Sequence, residues 1–299
     1  MPPSRLPRTR AQRSMRGAPT LRAQRLARQL QMIAEDAGMP ANEVAESVGV
    51  SPSLVSKWYS ATTVPNKTQL LLFCTVLRVD DALATELMEL QEKATEKGVW
   101  VTYENIVPEG ALGYFYQEEA ASNIWTVGIE LVPGLLQTRD YYSELLRSSP
   151  TGHGRDDIEL AHDLRQQRQE RLLAAADAPN LHGVLSEAAL HRQVGGPGVM
   201  RAQLSHLLEM AKLPNVTLQV HPFSQGAHPS MDAPFTYLSL RDDALPPVVY
   251  VESGVISWYI EKAGQVDRYV TCFQELADQA LTPDATAVLI KKMQNTLRD

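Results

Sequence analysis

Residues Ala41–Trp58, ANEVAESVGVSPSLVSKW, decide how the first part of this chain folds. Apolar residues fall at Val44, Val48, Val50, Val55 and Trp58, with small Ala45 beside Val44 and Gly49 between Val48 and Val50. Two short helices joined by a tight turn need this grid. Val44 and Val48 share one helical face, Ala45 lets a second helix approach, and Gly49 can take the positive φ of the turn. Ser51 then suits the N-cap of the second helix. Pro52 suits its first turn, where a missing N–H costs nothing. Two readings fit: a pair of core helices, or a helix-turn-helix that docks on DNA. The flanking sequence favours the second.

A preceding helix is expected over Leu21–Ala37, with Leu26, Leu30 and Ile33 on one side. After Val64-Pro65 the spacing predicts a helix over Lys67–Leu77, carrying Leu70, Leu71, Phe73 and Leu77, and another over Asp81–Lys93. Five short helices around one helix-turn-helix resemble the lambda/434-repressor-like (XRE-type) regulators, over roughly residues 20–95. The sequence departs from that pattern twice. Ala41 stands where the family usually has a phosphate-contacting glutamine, and Tyr59-Ser60-Ala61 where Glu-x-Gly is common. The apolar grid survives both changes; the borrowed DNA contacts are what they affect.

If the second helix enters the major groove, Ser51, Ser53, Leu54 and Lys57 face base edges. Lys57 can donate to guanine O6 or N7, Ser53 can pair with several bases, and Leu54 can touch a thymine methyl. Ser56 faces a phosphate in that pose, and Asn42, Asn66 and Lys67 are candidate backbone clamps. For each, the competing reading is an ordinary solvated helix residue.

At 299 residues the chain is long enough for about two domains, each with its own core. Its net charge of −7 is unusual for a DNA binder until it is divided. Up to Arg78 there are eleven Lys/Arg against four Asp/Glu, and beyond it seventeen against thirty-one. Any nucleic-acid surface therefore belongs to the first quarter. Cys74 and Cys272 stand far apart without metal-ligand spacing, and read as buried free thiols. No apolar run approaches the length of a membrane span. The first twenty residues hold Arg5, Arg8, Arg10, Arg13 and Arg16 but no apolar segment, so no secretory signal is expected. Three readings stand for this arm, which is expected to be disordered: a DNA-tracking tail, a solvated tail, or an over-long start preceding Met15. A cytoplasmic protein working on the nucleoid is expected.

A change of character at Thr95–Glu109 places the domain junction near residues 95–100, giving an arm over 1–20, a helix-turn-helix domain over 21–95 and a second domain over 96–299. In the second domain, strands are predicted at Asn123–Leu131, His182–Leu185, Val216–His221, Phe235–Leu240 and Val248–Glu252. Helices are predicted at Tyr114–Ala121, Asp140–Arg147, Arg155–Ala176, Val199–Lys212, Gln265–Ala280 and Pro283–Leu297. Gly195-Gly196-Pro197-Gly198 reads as a break before its helix. The whole predicts an all-α helix-turn-helix domain of five helices, then an α+β domain around one mixed sheet of about five strands.

Several segments of the second domain resemble one family in their order. They are Val132–Thr138 (VPGLLQT) with Tyr141, Arg165–Arg171 (RQQRQER), Glu187–Leu190 (EAAL) running into Val194–Pro197 (VGGP), Pro214–Val220 (PNVTLQV), Gly226–Pro229 (GAHP) and Val249–Glu252 (VYVE). They resemble the DUF5753 domain of actinobacterial, antitoxin-like helix-turn-helix regulators. That resemblance implies a small DUF397-type protein encoded nearby as partner; spacing and composition imply none of it.

His191, His221, His228, Asp232 and Glu252 invite an acid/base or metal reading, but no HExxH, CxxC pair or nucleophile elbow accompanies them. His221 is particular to this sequence, whereas His228 matches the family pattern, with a structural hydrogen bond as its expected role. Glu187, His228 and Glu252 are the polar candidates for a partner or ligand pocket at strand ends. No cofactor, metal site or catalytic residue is implied. The expected protein is a DNA-binding transcription regulator, pairing as a homodimer on double-stranded DNA and controlled through its second domain. A small-molecule sensor and an antitoxin acting mainly by protein binding remain the alternatives.

Overall fold

The computed structural model describes residues 20–95, 103, 106–107, 111–148, 155–174, 177–242, 245–253 and 256–297. The basic arm lies outside them apart from Thr20. The chain divides into two compact units, Met1–Thr102 and Tyr103–Asp299.

The first unit contains α1 (Leu21–Asp36), α2 (Ala41–Val48), α3 (Pro52–Tyr59), α4 (Lys67–Val76) and α5 (Asp81–Thr95). Each start has a local chemical cause. Thr20 Oγ1 accepts from the Ala23 N–H, Ser51 Oγ accepts from the Leu54 N–H, and Asn66 with Gln69 forms a reciprocal capping box. Gly49 ends α2 at φ +78°, and the Val50 N–H returns to the Ala45 carbonyl at 2.9 Å. The same closure ends α4, where the Val79 N–H donates to the Cys74 carbonyl, but the left-handed residue there is Arg78 at φ +53°. One core joins all five helices through Leu26, Leu30, Val44, Val55, Trp58, Phe73 and Leu87. The predicted grid is its centre.

Among the described residues the second unit is built on one mixed sheet of six strands, in line with the about five expected: β1 (Ala121–Gly128), β2 (Asn180–Ser186), β3 (Val216–His221), β4 (Thr236–Leu240), β5 (Val248–Ser253) and β6 (Ile256–Ile260). Their order is β3-β2-β1-β4-β5-β6. β1, β2 and β3 run parallel, while β4, β5 and β6 continue from β1 as an antiparallel meander. Parallel neighbours need long crossovers, and helices supply them. α6 (Ala111–Ala120) precedes β1, and α7 (Arg139–Ser148) and α8 (Arg155–Leu173) lie between β1 and β2. Between β2 and β3 lie the single-turn α9 (Glu187–His191) and α10 (Gly196–Met210), and α11 (Ala263–Gln279) and α12 (Pro283–Thr296) follow the sheet.

The two sheet faces divide by strand alternation. Val127, Val184, Phe235, Val249 and Val251 pack on Val266, Phe273 and Leu276 of α11. Ile124, Leu181 and Leu238 point the other way, where Tyr114 of α6 stacks on Tyr250 at 4.4 Å. Several predicted boundaries move, two of them for a clear local reason. β1 stops at Gly128 rather than Leu131, because the chain doubles back there: a Cβ on Gly128 would lie 2.6 Å from the Leu131 carbonyl oxygen. α10 starts within the glycine-proline run, which therefore begins the helix instead of preceding it. β6 lies outside the predicted strands and pairs with β5 at the sheet edge. Cys74 is buried as expected, whereas Cys272 is half-buried; both thiols are free and pushed up by burial.

Candidate functional site

The helix-turn-helix presents one polar face. Val55 and Trp58 anchor α3 in the core, which turns Ser53, Ser56 and Lys57 outward; all three are exposed. Ser51 is exposed but its hydroxyl is occupied by the cap to Leu54. Leu54 is half-buried and packs on the core, so only part of its side chain is available to a thymine methyl. Asn42 opens α2 and is exposed. Asn66 Oδ1 is held by the Gln69 N–H at 2.9 Å, leaving its NH2 as the free donor for a phosphate. Lys67 Nζ lies 3.4 Å from Glu92, in an exposed pair of the kind that contributes little and exchanges readily. Lys57 is the cation on the outward face of α3. Such a face can hydrogen-bond base edges while α2 and the start of α4 meet the backbone.

In the second unit the carboxyl ends of β1, β2 and β3 share one edge, where open sheets of this kind commonly form sites. A depression of about 240 Å³ lies there, lined by Ile129, Ala188, Pro222, Phe223 and Met231 together with His221 and His228. The imidazoles of His221 and His228 stand 4.7 Å apart between centroids. His228 Nδ1 accepts from the Ser230 N–H, which leaves the ring proton of neutral His228 on Nε2. Burial, then the neighbouring His221, holds His228 below the ordinary histidine range. Glu187 flanks this edge: its carboxylate accepts from the Phe223 N–H at 2.8 Å and meets His191 Nε2 at 3.2 Å. Glu252 does not join them. It lies on β5, two strands from β1, where it accepts from the Tyr250 hydroxyl at 3.3 Å. Among the described residues no three His, Cys, Asp or Glu side chains converge as a metal site.

A family model described as Domain of unknown function (DUF5753) matches residues 114–292, and one described as Helix-turn-helix domain matches residues 25–87. The chain belongs to the DUF5753 family. No curated protein and no solved structure matches it. The helix-turn-helix ahead of the DUF5753 domain points to a DNA-binding regulator.

Two of the DUF5753 motifs, VPGLLQT and RQQRQER, meet in space. Val132–Thr138 contains a short 3-10 turn, Gly134–Leu136, in which the Gly134 carbonyl accepts a long 3.4 Å bond from the Gln137 N–H. Side chains supply further donors. Gln137 Nε2 reaches the Val132 carbonyl at 2.6 Å, Arg165 donates to that of Gly134, and Gln169 to those of Leu135 and Gln137 at 3.2 and 2.7 Å. Arg165 and Gln169 of the run RQQRQER thus hold VPGLLQT, since buried carbonyls need donors, while Arg168 and Arg171 of the same run turn to Glu118. Asn215 performs the same task before β3, donating to the carbonyls of Leu172 and Pro179. Gln203 is fully buried on α10, and its helical setting carries no polar signal in the sequence. His221 ends an alternating strand, and nothing in the sequence places it beside His228.

Among the described residues, no helix is long and apolar enough to cross a membrane.

Proposed function

We infer that this protein is a sequence-specific transcription regulator: α3 reads the major groove, and the DUF5753 domain receives a small partner protein that controls occupancy of the operator. The observation that carries the first half is the outward face of α3, where Ser53, Ser56 and Lys57 stand above buried Val55 and Trp58. One such helix covers a half-site, so two copies on a two-fold operator match the geometry of DNA. Phosphate contacts from Asn42, Asn66 and Lys67 set the register, and the basic arm adds a salt-dependent, sequence-independent contribution. The excess of acidic residues beyond Arg78 keeps the second unit off the duplex and available to the partner, a protein of the DUF397 type encoded nearby.

The test is genome-wide mapping of bound DNA in cells with and without the adjacent small gene. Discrete sites sharing a two-fold sequence, whose occupancy changes when the small gene is deleted, are the expected result. Binding without sequence preference would overturn the regulator reading, and unchanged occupancy would overturn partner control.

A further inference from the structure

The depression at the carboxyl ends of β1, β2 and β3 has features that the fold does not consume. His221 is 3% exposed, and among the described residues its Nε2 has no hydrogen-bond partner. Leaving a buried polar atom unpaired is costly unless something arriving there satisfies it. The rim is apolar and open: Phe223 is 58% and Met231 57% exposed, although large apolar side chains normally seek cover. This rim is also held in place. Glu187 fixes the Phe223 backbone through the 2.8 Å hydrogen bond, and the Phe223 ring stacks on His191 at 5.4 Å and 24°.

From these observations we propose that this edge of the sheet is the docking face for a polypeptide, whose tyrosine or tryptophan side chain enters the depression and hydrogen-bonds His221. Size separates this occupant from a free metabolite. At about 240 Å³ the space falls below the ~300–1,000 Å³ typical of small-molecule pockets and suits one side chain. Tyrosine and tryptophan combine the required apolar body with a polar tip, and they dominate the energetics of protein interfaces. Charge sets the flanks of the anchor. Glu130 of the lining is matched by Arg192, but Glu187 puts a carboxylate beside Phe223 whose only basic partner among the described residues is the imidazole of His191, in a unit with 25 Asp/Glu against 15 Lys/Arg. The docking segment is therefore an aromatic residue flanked by lysine or arginine. The inference rests on the partner-controlled reading above and names where on the DUF5753 domain the partner binds.

A random dodecapeptide library displayed on phage and selected against the full-length protein tests it. Enrichment of Tyr or Trp beside Lys or Arg is expected. The synthetic peptide should bind Phe223→Ala and Met231→Ala about tenfold more weakly, or worse, as for a central interface contact. Trp258→Ala, at the β6 edge, should leave it unchanged. Exchanging the anchor Tyr for Phe in the peptide should weaken binding to the native protein but not to His221→Phe. If that variant fails to fold, the exposed Phe223 and Met231 replacements decide alone. Equal binding to Phe223→Ala and Trp258→Ala, or tight binding of p-cresol or indole with no peptide enriched, would overturn the proposal. Gel shifts with the adjacent small protein separate the two readings. A response identical in native protein and Phe223→Ala leaves partner control standing and removes this face. Peptide binding at the face with no small-protein effect on operator occupancy does the reverse.

Discussion

The Arg168 guanidinium of α8 grips the Glu118 carboxylate of α6 with two parallel hydrogen bonds, Nε to Oε1 at 2.7 Å and Nη2 to Oε2 at 2.8 Å. Only 9% and 5% of the two side chains are exposed. Burial pulls against the charged guanidinium, but Glu118 outweighs it and holds Arg168 above the usual arginine range. Arg171 donates to the Glu118 backbone carbonyl at 2.7 Å, so the arginine-rich helix is anchored to α6 at two points.

Removing one partner leaves a charge buried without its counter-ion, which costs more than the pair contributes. Glu118→Ala is expected to destabilise the second unit by about 3–5 kcal/mol, and Glu118→Leu combined with Arg168→Met to recover much of that loss. Urea unfolding monitored by tryptophan fluorescence measures both. An unshifted midpoint for Glu118→Ala would show that the pair is not buried in solution.

Gln203 spans α10 and the family's 3-10 segment: its Nε2 donates to the Leu136 carbonyl and its Oε1 accepts from the Thr138 N–H, each at 2.7 Å. Gln203→Leu keeps the volume but orphans both groups, at a cost of roughly 2–4 kcal/mol. Hydrogen exchange should then accelerate locally at Thr138. Unaltered protection there would argue that water replaces the side chain.

Arg78 holds the left-handed position that closes α4, at φ +53°. An L side chain pays about 1–2 kcal/mol for that conformation, and glycine returns part of the gain as chain entropy. Arg78→Gly is expected to raise the stability of the first unit by roughly 0.5–1 kcal/mol. Thermal unfolding of the variant checks the sign, and a lower Tm would place the arginine side chain in an essential contact.

Four histidines of the second unit, His162, His182, His206 and His228, are held below the ordinary histidine range, with burial the first cause in each. The unfolded chain therefore takes up protons first as pH falls through about 6.5. Stability from these sites is fully present above that pH and is lost below it. Urea midpoints should drop between about pH 7.5 and about pH 5.5, and His206→Leu should flatten the decline. A midpoint constant across that window would rule out the linkage.

Lys57→Ala is expected to weaken binding to the native operator by about 1–3 kcal/mol and to relax base preference at one position of each half-site. Titrating operator and scrambled duplexes separates this from a phosphate contact, which would weaken both alike.

The first unit was legible because its information is local. Caps at Ser51 and Asn66, the turn at Gly49 and the spacing from Val44 to Trp58 act over a few residues, and a 3.6-residue period needs no knowledge of distant chain. The α+β class and five strands of the second unit were legible for the same reason, through alternation and turn residues. Tertiary structure decided what adjacency alone could not. The edge strand β6 is defined by pairing with β5; Gln203 and Arg165 acquire meaning only against carbonyls far away in sequence; and His221 meets His228 only because β3 ends where the following loop returns. Secondary structure is written in neighbouring residues, whereas a buried polar atom has its partners set by the packing of the whole unit.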